Sequence, residues 1–332
     1  MKEVLKKYKI IIFSLTAFCL LLSGCDKGTE PKKFEKNPNL IFLTASHPPE
    51  NDNDVYWECS SPVWSPDGYK IYYLESRGDW PNGGGIWVVD SDGQNAHKIK
   101  EGKYQFLSIS PSGERLSAIR AGDYDDSKAF WIGGDVVVFH TDGSGEETVF
   151  ESSKDFAALD VKFASDNDEK LFYYALWAVW GTGGQYKFYS YNLAAKADTF
   201  LFGENWNASF YGFDVHGNTI VRTKWPYTQT LSLSGAILDT MGWSGIWPRF
   251  SPDGEKVVAA RLDEYPELFL FDASSGEVIS YLDVRTHRNS AASFPAWSPD
   301  GEKIAFVTAP YEECHVCYPL PKWEVWILND VQ

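Results

Sequence analysis

Trp64-Ser65-Pro66-Asp67-Gly68 recurs as Phe250-Ser251-Pro252-Asp253-Gly254 and as Trp297-Ser298-Pro299-Asp300-Gly301, with a softened copy at Ile109-Ser110-Pro111-Ser112-Gly113. Two eroded copies, Phe163-Ala164-Ser165-Asp166-Asn167 and Phe213-Asp214-Val215-His216-Gly217, fall where the spacing asks for them. From the leading apolar residue, the six copies stand 45, 54, 50, 37 and 47 residues apart. Repeats of about 40 to 50 residues are the period of propellers and other stacked arrays.

The motif has a mechanical meaning. An apolar residue ends a strand, Pro with its φ already set starts a type I turn, Asp follows, and Gly closes the turn. An apolar run comes next: Ile71-Tyr72-Tyr73-Leu74, Leu116-Ser117-Ala118-Ile119, Val257-Val258-Ala259-Ala260 and Ile304-Ala305-Phe306-Val307. These read as buried or half-buried strands. After a variable loop a third strand follows, as in Ile86-Trp87-Val88-Val89-Asp90 or Val325-Trp326-Ile327-Leu328, and a Gly-containing turn leads to a weaker fourth. Four antiparallel strands per repeat make one propeller blade. The expected fold is an all-β, six-bladed β-propeller of four-stranded antiparallel blades.

The two ends of the chain sharpen this. Leu40-Ile41-Phe42-Leu43-Thr44 is a strand with no repeat of its own, and the last repeat lacks a fourth strand. The expectation is that the N-terminal strand joins the last blade and closes the ring, which removes exposed sheet edges. The propeller is thus placed at residues 39–332.

Ahead of it, Lys2, Lys6, Lys7 and Lys9 precede the apolar run Ile10 to Leu22. That run is too short to span a bilayer and fits a signal-peptide core. It ends in Leu22-Ser23-Gly24-Cys25, which resembles the lipobox of bacterial lipoproteins. The resemblance implies a signal peptide at 1–24, lipidation of Cys25, and a lipid-anchored place in the cell envelope, facing the periplasm or the cell surface. Residues 25–38 are polar, with Pro and Gly, and read as a tether.

The repeats resemble those of TolB-like propellers, and more loosely WD-repeat-like ones: an apolar residue, Ser-Pro-Asp-Gly, a strand ending in an aromatic, then an Ile-Trp-Val strand. The resemblance covers roughly residues 40 to 330 and is weak in the third and fourth repeats. TolB carries an extra N-terminal domain that binds its partners, and no such domain fits here, so the resemblance implies the fold and not that partnership. Related repeats also form oligopeptidase lids and polysaccharide lyases, and fold does not settle function.

Composition excludes some classes. The formal charge of −16 becomes −19 once the leader, with four Lys and one Glu, is removed. Such acidity argues against nucleic acid, whose phosphates need clustered Lys and Arg, and against adhesion of the domain to anionic lipid. The chain holds 14 Trp, 18 Tyr and 21 Phe. Most fall in strands and read as core. Another set falls in loops expected on one face of the ring: Tyr56, Trp57, Trp80, Tyr124, Trp131, Trp177, Trp180, Trp206, Trp225, Tyr227, Trp243, Tyr265 and Tyr311. Asp123, Asp125, Asp126, Asp263, Glu264, Arg285 and Arg288 are interleaved with them. Flat aromatics beside carboxylates and arginines suit a peptide or sugar groove; the alternative is that these loops bury one another.

Catalytic motifs are thin. Gly242-Trp243-Ser244-Gly245 lacks the spacing of a nucleophile elbow. His47, His97, His140, His216, His287 and His315 are scattered, so no catalytic residue, metal site or cofactor is assigned. Asp123-Tyr-Asp-Asp126 and Asp52-Asn-Asp54 lack the Gly and distal Glu of a calcium loop. Of the five cysteines, Cys19 leaves with the leader and Cys25 takes lipid. Outside the cytoplasm disulfides are allowed, so Cys59, Cys314 and Cys317 read as one disulfide across the ring seam or within the 314–317 loop, with one thiol left over. The bolder alternative is a zinc or redox site including His315.

The expected function is that of an envelope lipoprotein whose propeller binds a protein, peptide or glycan, or acts as a scaffold. The runner-up is a carbohydrate-active lyase or hydrolase working in the central funnel, told apart by convergent carboxylates and histidines there. A purely structural envelope component would show neither patch nor pocket.

Overall fold

The computed structural model describes residues 36–47, 57–77, 84–121, 133–153, 155–179, 183–205, 209–241, 245–261, 267–287, 290–310 and 323–331. In chain order its strands begin with β1 (Leu40–Ala45) and then fall into runs of four. The first run is β2 (Trp57–Trp64), β3 (Lys70–Arg77), β4 (Gly84–Asp90) and β5 (His97–Glu101). The second is β6 (Tyr104–Ile109), β7 (Arg115–Ala121), β8 (Gly134–His140) and β9 (Glu147–Phe150). The third is β10 (Phe156–Ala164), β11 (Asn167–Val179), β12 (Gly183–Asn192) and β13 (Ala197–Asn205). The fourth is β14 (Phe210–His216), β15 (Thr219–Lys224), β16 (Tyr227–Ser232) and β17 (Ile237–Met241). The fifth is β18 (Gly245–Phe250), β19 (Lys256–Arg261), β20 (Glu267–Asp272) and β21 (Val278–Asp283), and the last holds only β22 (Ser290–Trp297), β23 (Ile304–Pro310) and β24 (Glu324–Leu328).

Every pairing within these runs is antiparallel, and the first strands touch one another in the order β2, β6, β10, β14, β18, β22 and back to β2. This is an all-β propeller. The missing strand of the last run is β1, which pairs with β24 from Leu40↔Leu328 to Ala45↔Glu324, as the sequence predicts. A bulge at Leu43 breaks the alternation of β1, and this has a use. Leu40, 4% exposed, packs with Ile304, Phe306 and Trp326, whereas Leu43, 3% exposed, packs on the other side with Trp64, Ala305 and Val325. The closing strand thereby joins the cores on both faces of its sheet. The fold also begins slightly earlier than expected: Asn37 Nδ2 donates to the Asp283 carbonyl at 3.0 Å, and Lys36 lies over the Trp326 ring.

One feature departs from six separate sheets. The second and third runs form one eight-stranded sheet, joined at the single pair Ala158↔Gly134. Gly133 and Gly134 permit it. A Cβ on Gly134 would sit 2.0 Å from the Arg120 carbonyl oxygen, and one on Gly133 2.4 Å from that of Ala158, so only bare backbone fits between the strands.

The Ser-Pro-Asp-Gly stretches form the expected turns. Ser65 Oγ donates to Asp67 Oδ1 at 2.6 Å and accepts from Lys70 N at 2.9 Å, while Gly68 N reaches Ser65 O. Ser251 and Ser298 repeat the arrangement with Asp253 and Lys256, and with Asp300 and Lys303. The serine hydroxyl is the main reason the three aspartates are held below the usual carboxylate range. Gly68, Gly113, Gly254 and Gly301 all have φ near +75°, between 73° and 77°. Each motif also seats on the next: Pro66 faces Gly113, Pro252 faces Gly301, and Pro299 faces Gly68 across the closure.

The eroded copies fold differently. Ser165-Asp166 and Gly217-Asn218 are two-residue hairpin turns between Ala164↔Asn167 and His216↔Thr219. Without the Pro, no type I turn is pre-set, and the shortest hairpin replaces it.

Candidate functional site

The inner ring of first strands carries a repeated irregularity. In each, the ladder to the second strand slips partway along, at Ser60/Val63, Gln105/Ser108, Ala158/Asp160, Phe210/Phe213, Ile246/Arg249 and Ser293/Ala296, and β10 slips again at Phe163/Ala164. Five of the slips contain a left-handed residue: Ser61, Phe106, Gly212, Trp247 and Phe294, with φ of 49°, 53°, 97°, 52° and 50°. A bulge of this kind bends a strand and re-aims its side chains. Left-handed Trp and Phe are uncommon, and such backbone persists only where packing over-determines it.

At or just past the slip, neighbouring strands lock together. Trp64 Nε1 donates to Ala296 O at 3.2 Å and Trp297 Nε1 to Arg249 O at 3.3 Å. Phe163 N donates to Ser108 Oγ at 3.1 Å and Phe250 N to Asp214 Oδ2 at 2.9 Å. The residue before the motif's apolar residue is therefore Val63, Ser108, Lys162, Asp214, Arg249 or Ala296, depending on the run. Half of this ring is apolar or neutral and half is charged.

The charged half, from β10, β14 and β18, is the most distinctive chemistry among the described residues. Asp160 is fully buried and accepts from Lys162 Nζ at 2.6 Å, Val161 N at 2.8 Å and Phe213 N at 3.3 Å. Burial pushes the Lys162 ammonium down to about 8, and the neighbouring Arg249 adds to that against the pull of Asp160. Burial likewise raises the Asp214 carboxyl, which Arg249 and Lys162 partly offset. Arg249 is half-buried and uses one nitrogen, Nη1, for Phe213 O at 3.0 Å and Pro248 O at 2.9 Å. Beside it, Trp247 stacks on Phe294 with centroids 4.0 Å apart. A Cβ on Gly212 would meet Trp247 Cδ1 at 3.3 Å and lie 3.7 Å from Asp160 Oδ2, so Gly212 marks where tryptophan and carboxylate converge.

The sequence reading did not single out this wall. In the fourth run the expected motif was set on Phe213, which put Asp214 at the serine position, whereas the hairpin aligns Val215 with Trp64. The available signal was a charge directly before the apolar residue in Lys162-Phe163, Asp214-Val215 and Arg249-Phe250, where other repeats hold Val63 and Ala296.

Of the loop aromatics, Trp177, Trp225 and Tyr227 are described, at 38%, 44% and 52% exposure. Lys187 Nζ lies 5.2 Å from the Trp177 ring, and Trp225 N donates to Ser209 O. Trp57 is described in its strand backbone alone. Trp80, Tyr124, Trp131, Trp180, Trp206 and Trp243 lie outside the described residues, with Tyr56, Tyr265, Tyr311 and the interleaved Asp123, Asp125, Asp126, Asp263, Glu264 and Arg288. Arg285 pairs with its own strand end, Nε to Asp283 Oδ1 at 2.8 Å. Cys25, Cys314 and Cys317 also lie outside the described residues. Cys59 is fully buried, its thiol pushed well up by burial and then by Glu75, and it donates to Trp323 O at 3.6 Å across the closure.

Among the described residues the histidines do not converge. His47 Nδ1 sits 2.6 Å from Glu75 Oε1 and stacks on Trp87, His97 bonds Asn95 O, and His216 packs on Phe250. Among the described residues, no three His, Cys, Asp or Glu side chains are grouped as a metal ion requires.

No family model matches the chain, and no curated protein sequence matches it. Solved structures do resemble it. An oligogalacturonate lyase in complex with manganese superposes with a TM-score of 0.54 at 13% identity, over 88% of this chain and 98% of that one. A luciferin-regenerating enzyme gives 0.55 at 11% identity, over 83% and 92%. TolB from Acinetobacter baumannii gives 0.52 at 13%, over 82% of this chain and 64% of that one. At such identities the likeness speaks for the fold and not for an activity. The chain is an all-β propeller of antiparallel sheets with a TolB-like fold.

Proposed function

We propose that this is a six-bladed propeller displayed on an envelope lipoprotein and that it works as a binding module for a protein, peptide or glycan. The closed order of six first strands supports the blade count, with the Gly133-Gly134 contact joining two blades edgewise. The leader ending at Cys25 and the polar tether support the anchor.

The observation that carries binding over catalysis is how the two carboxylates of the inner wall are used. Both Asp160 and Asp214 accept backbone amides of a neighbouring strand, at Phe213 N and Phe250 N, and so hold blades together. A general acid or base needs a carboxyl free to exchange its proton with a reacting group. The exposed rings of Trp177, Trp225 and Tyr227 supply flat contact area on the rim, where large rigid side chains bind with little loss of entropy. The test is binding to peptide and glycan arrays, followed by product analysis of every ligand bound. Saturable binding with unchanged ligand, weakened by the pair Trp225→Ala and Tyr227→Ala, is expected. Cleavage of a bound glycan would establish the carbohydrate-active enzyme instead.

A further inference from the structure

Arg249 is held like a receptor rather than a structural ion pair. Its Nη1 is fixed by two carbonyl oxygens, one from each of two adjacent inner strands, which sets the plane of the guanidinium. Its Nε and Nη2 make no hydrogen bond among the described residues, and Arg249 forms no ion pair there. Neither atom is sealed in: unlike Arg222 Nε, they are not among the fully enclosed polar atoms without a partner. A half-buried guanidinium with one edge pinned and the other open is set up for bidentate capture of an oxyanion.

We propose that the Nε–Nη2 edge of Arg249 binds a carboxylate group of the ligand, with Lys162 adding charge and the Trp247–Phe294 stack lying beside the ligand's adjoining flat face. Carboxylate is favoured over phosphate by the surroundings. Asp160 and Asp214 offset the charges of Lys162 and Arg249, so the wall carries no excess positive charge to favour a dianion over a monoanion. The planar two-oxygen group also matches the side-on edge of a guanidinium. The inference rests on the binding reading only in calling the molecule a ligand; the same edge would hold the carboxylate of a substrate.

The carboxylate has two sources, an acidic sugar or a peptide end, and the test separates them. A hexuronic acid and an N-acetylated aromatic dipeptide are titrated calorimetrically into the whole protein, each against its uncharged partner, the neutral hexose and the dipeptide amide, with inorganic phosphate alongside. The acid of one pair is expected to bind at least about 10-fold more tightly than its neutral partner, the worth of one charge-assisted pair. Arg249→Lys, which keeps the charge and loses the fork, is expected to erase that preference. Because Arg249 also links two strands, a second measurement uses the unsubstituted protein: phenylglyoxal modification of Arg249, read by peptide mass spectrometry, should slow in the presence of the preferred acid. Equal affinity for acid and neutral partner, no binding of either acid, tighter binding of phosphate, or unprotected Arg249 would each overturn the proposal. Chemical change of the bound probe would overturn the binding reading and leave the carboxylate receptor standing.

Discussion

Leu40 and Leu43 offer a sharp test of how the ring is closed. Their exposures of 4% and 3% place both in cores, yet in different ones: Leu40 with Phe306, Trp326 and Leu328, Leu43 with Trp64, Val307 and Ile327. Each Leu→Ala change removes a fully packed side chain, at a cost of about 2–5 kcal/mol. Because the two side chains lie in separate clusters, the double variant should lose the sum, about 4–10 kcal/mol. Phe42 between them is the control. It is 48% exposed and meets the Trp326 ring edge-on with centroids 5.4 Å apart, so Phe42→Ala should cost about 1 kcal/mol or less. The assay is urea unfolding of residues 26–332 followed by tryptophan fluorescence, with the slope checked for two-state behaviour. If Leu40→Ala and Leu43→Ala each cost no more than Phe42→Ala, β1 does not close the ring in solution.

Three further outcomes follow from the same geometry. Ser298→Ala strands the Lys303 amide and frees Asp300, so it should cost about 1–3 kcal/mol, and the Asp300 carboxyl should titrate closer to the ordinary range by NMR. Lys162→Met leaves the fully buried Asp160 without its cation and should cost about 3–5 kcal/mol in urea unfolding, partly recovered by adding Asp160→Asn. The folded protein holds Lys162 at about 8, below its unfolded value, so the unfolded chain binds the extra proton above that pH. The protein-minus-Lys162→Met stability difference should therefore rise between pH 8 and 9.5, a range chosen below the ionisation of ordinary tyrosines at about 10; a flat or falling difference would sink the assignment. Gly134→Ala forces a Cβ onto the Arg120 carbonyl and should destabilise by about 1–3 kcal/mol, with amide exchange speeding first in β8 and β10.

Much of the fold was legible because it is repeated. Four Pro-containing turns announced the period, and the orphan strand at Leu40 found its place by elimination. The weaker repeats were misaligned for a physical reason: a two-residue hairpin at Gly217-Asn218 does the work of a five-residue motif, so the sequence slips while the strand does not. The inner wall was less legible. Its bulges leave no composition cue, since Ser61, Phe106, Gly212, Trp247 and Phe294 share a backbone conformation and nothing else. The pairing of Arg249 with two carbonyls depends on a strand 36 residues away, beyond any local pattern.

The closing strand also fixes where the chain can be cut. Asn329 N donates to Asn39 O at 3.0 Å, so the start of β1 and the end of β24 lie side by side. A short Gly-Ser bridge could join them and new ends be opened at an exposed hairpin such as Gly217-Asn218, giving a circular permutant. With the leader moved to the new N-terminus, the proposed lipid anchor would attach at a different repeat of the same ring. Where the chain begins is thus a property of where the seam lies, separable by engineering from the ring itself.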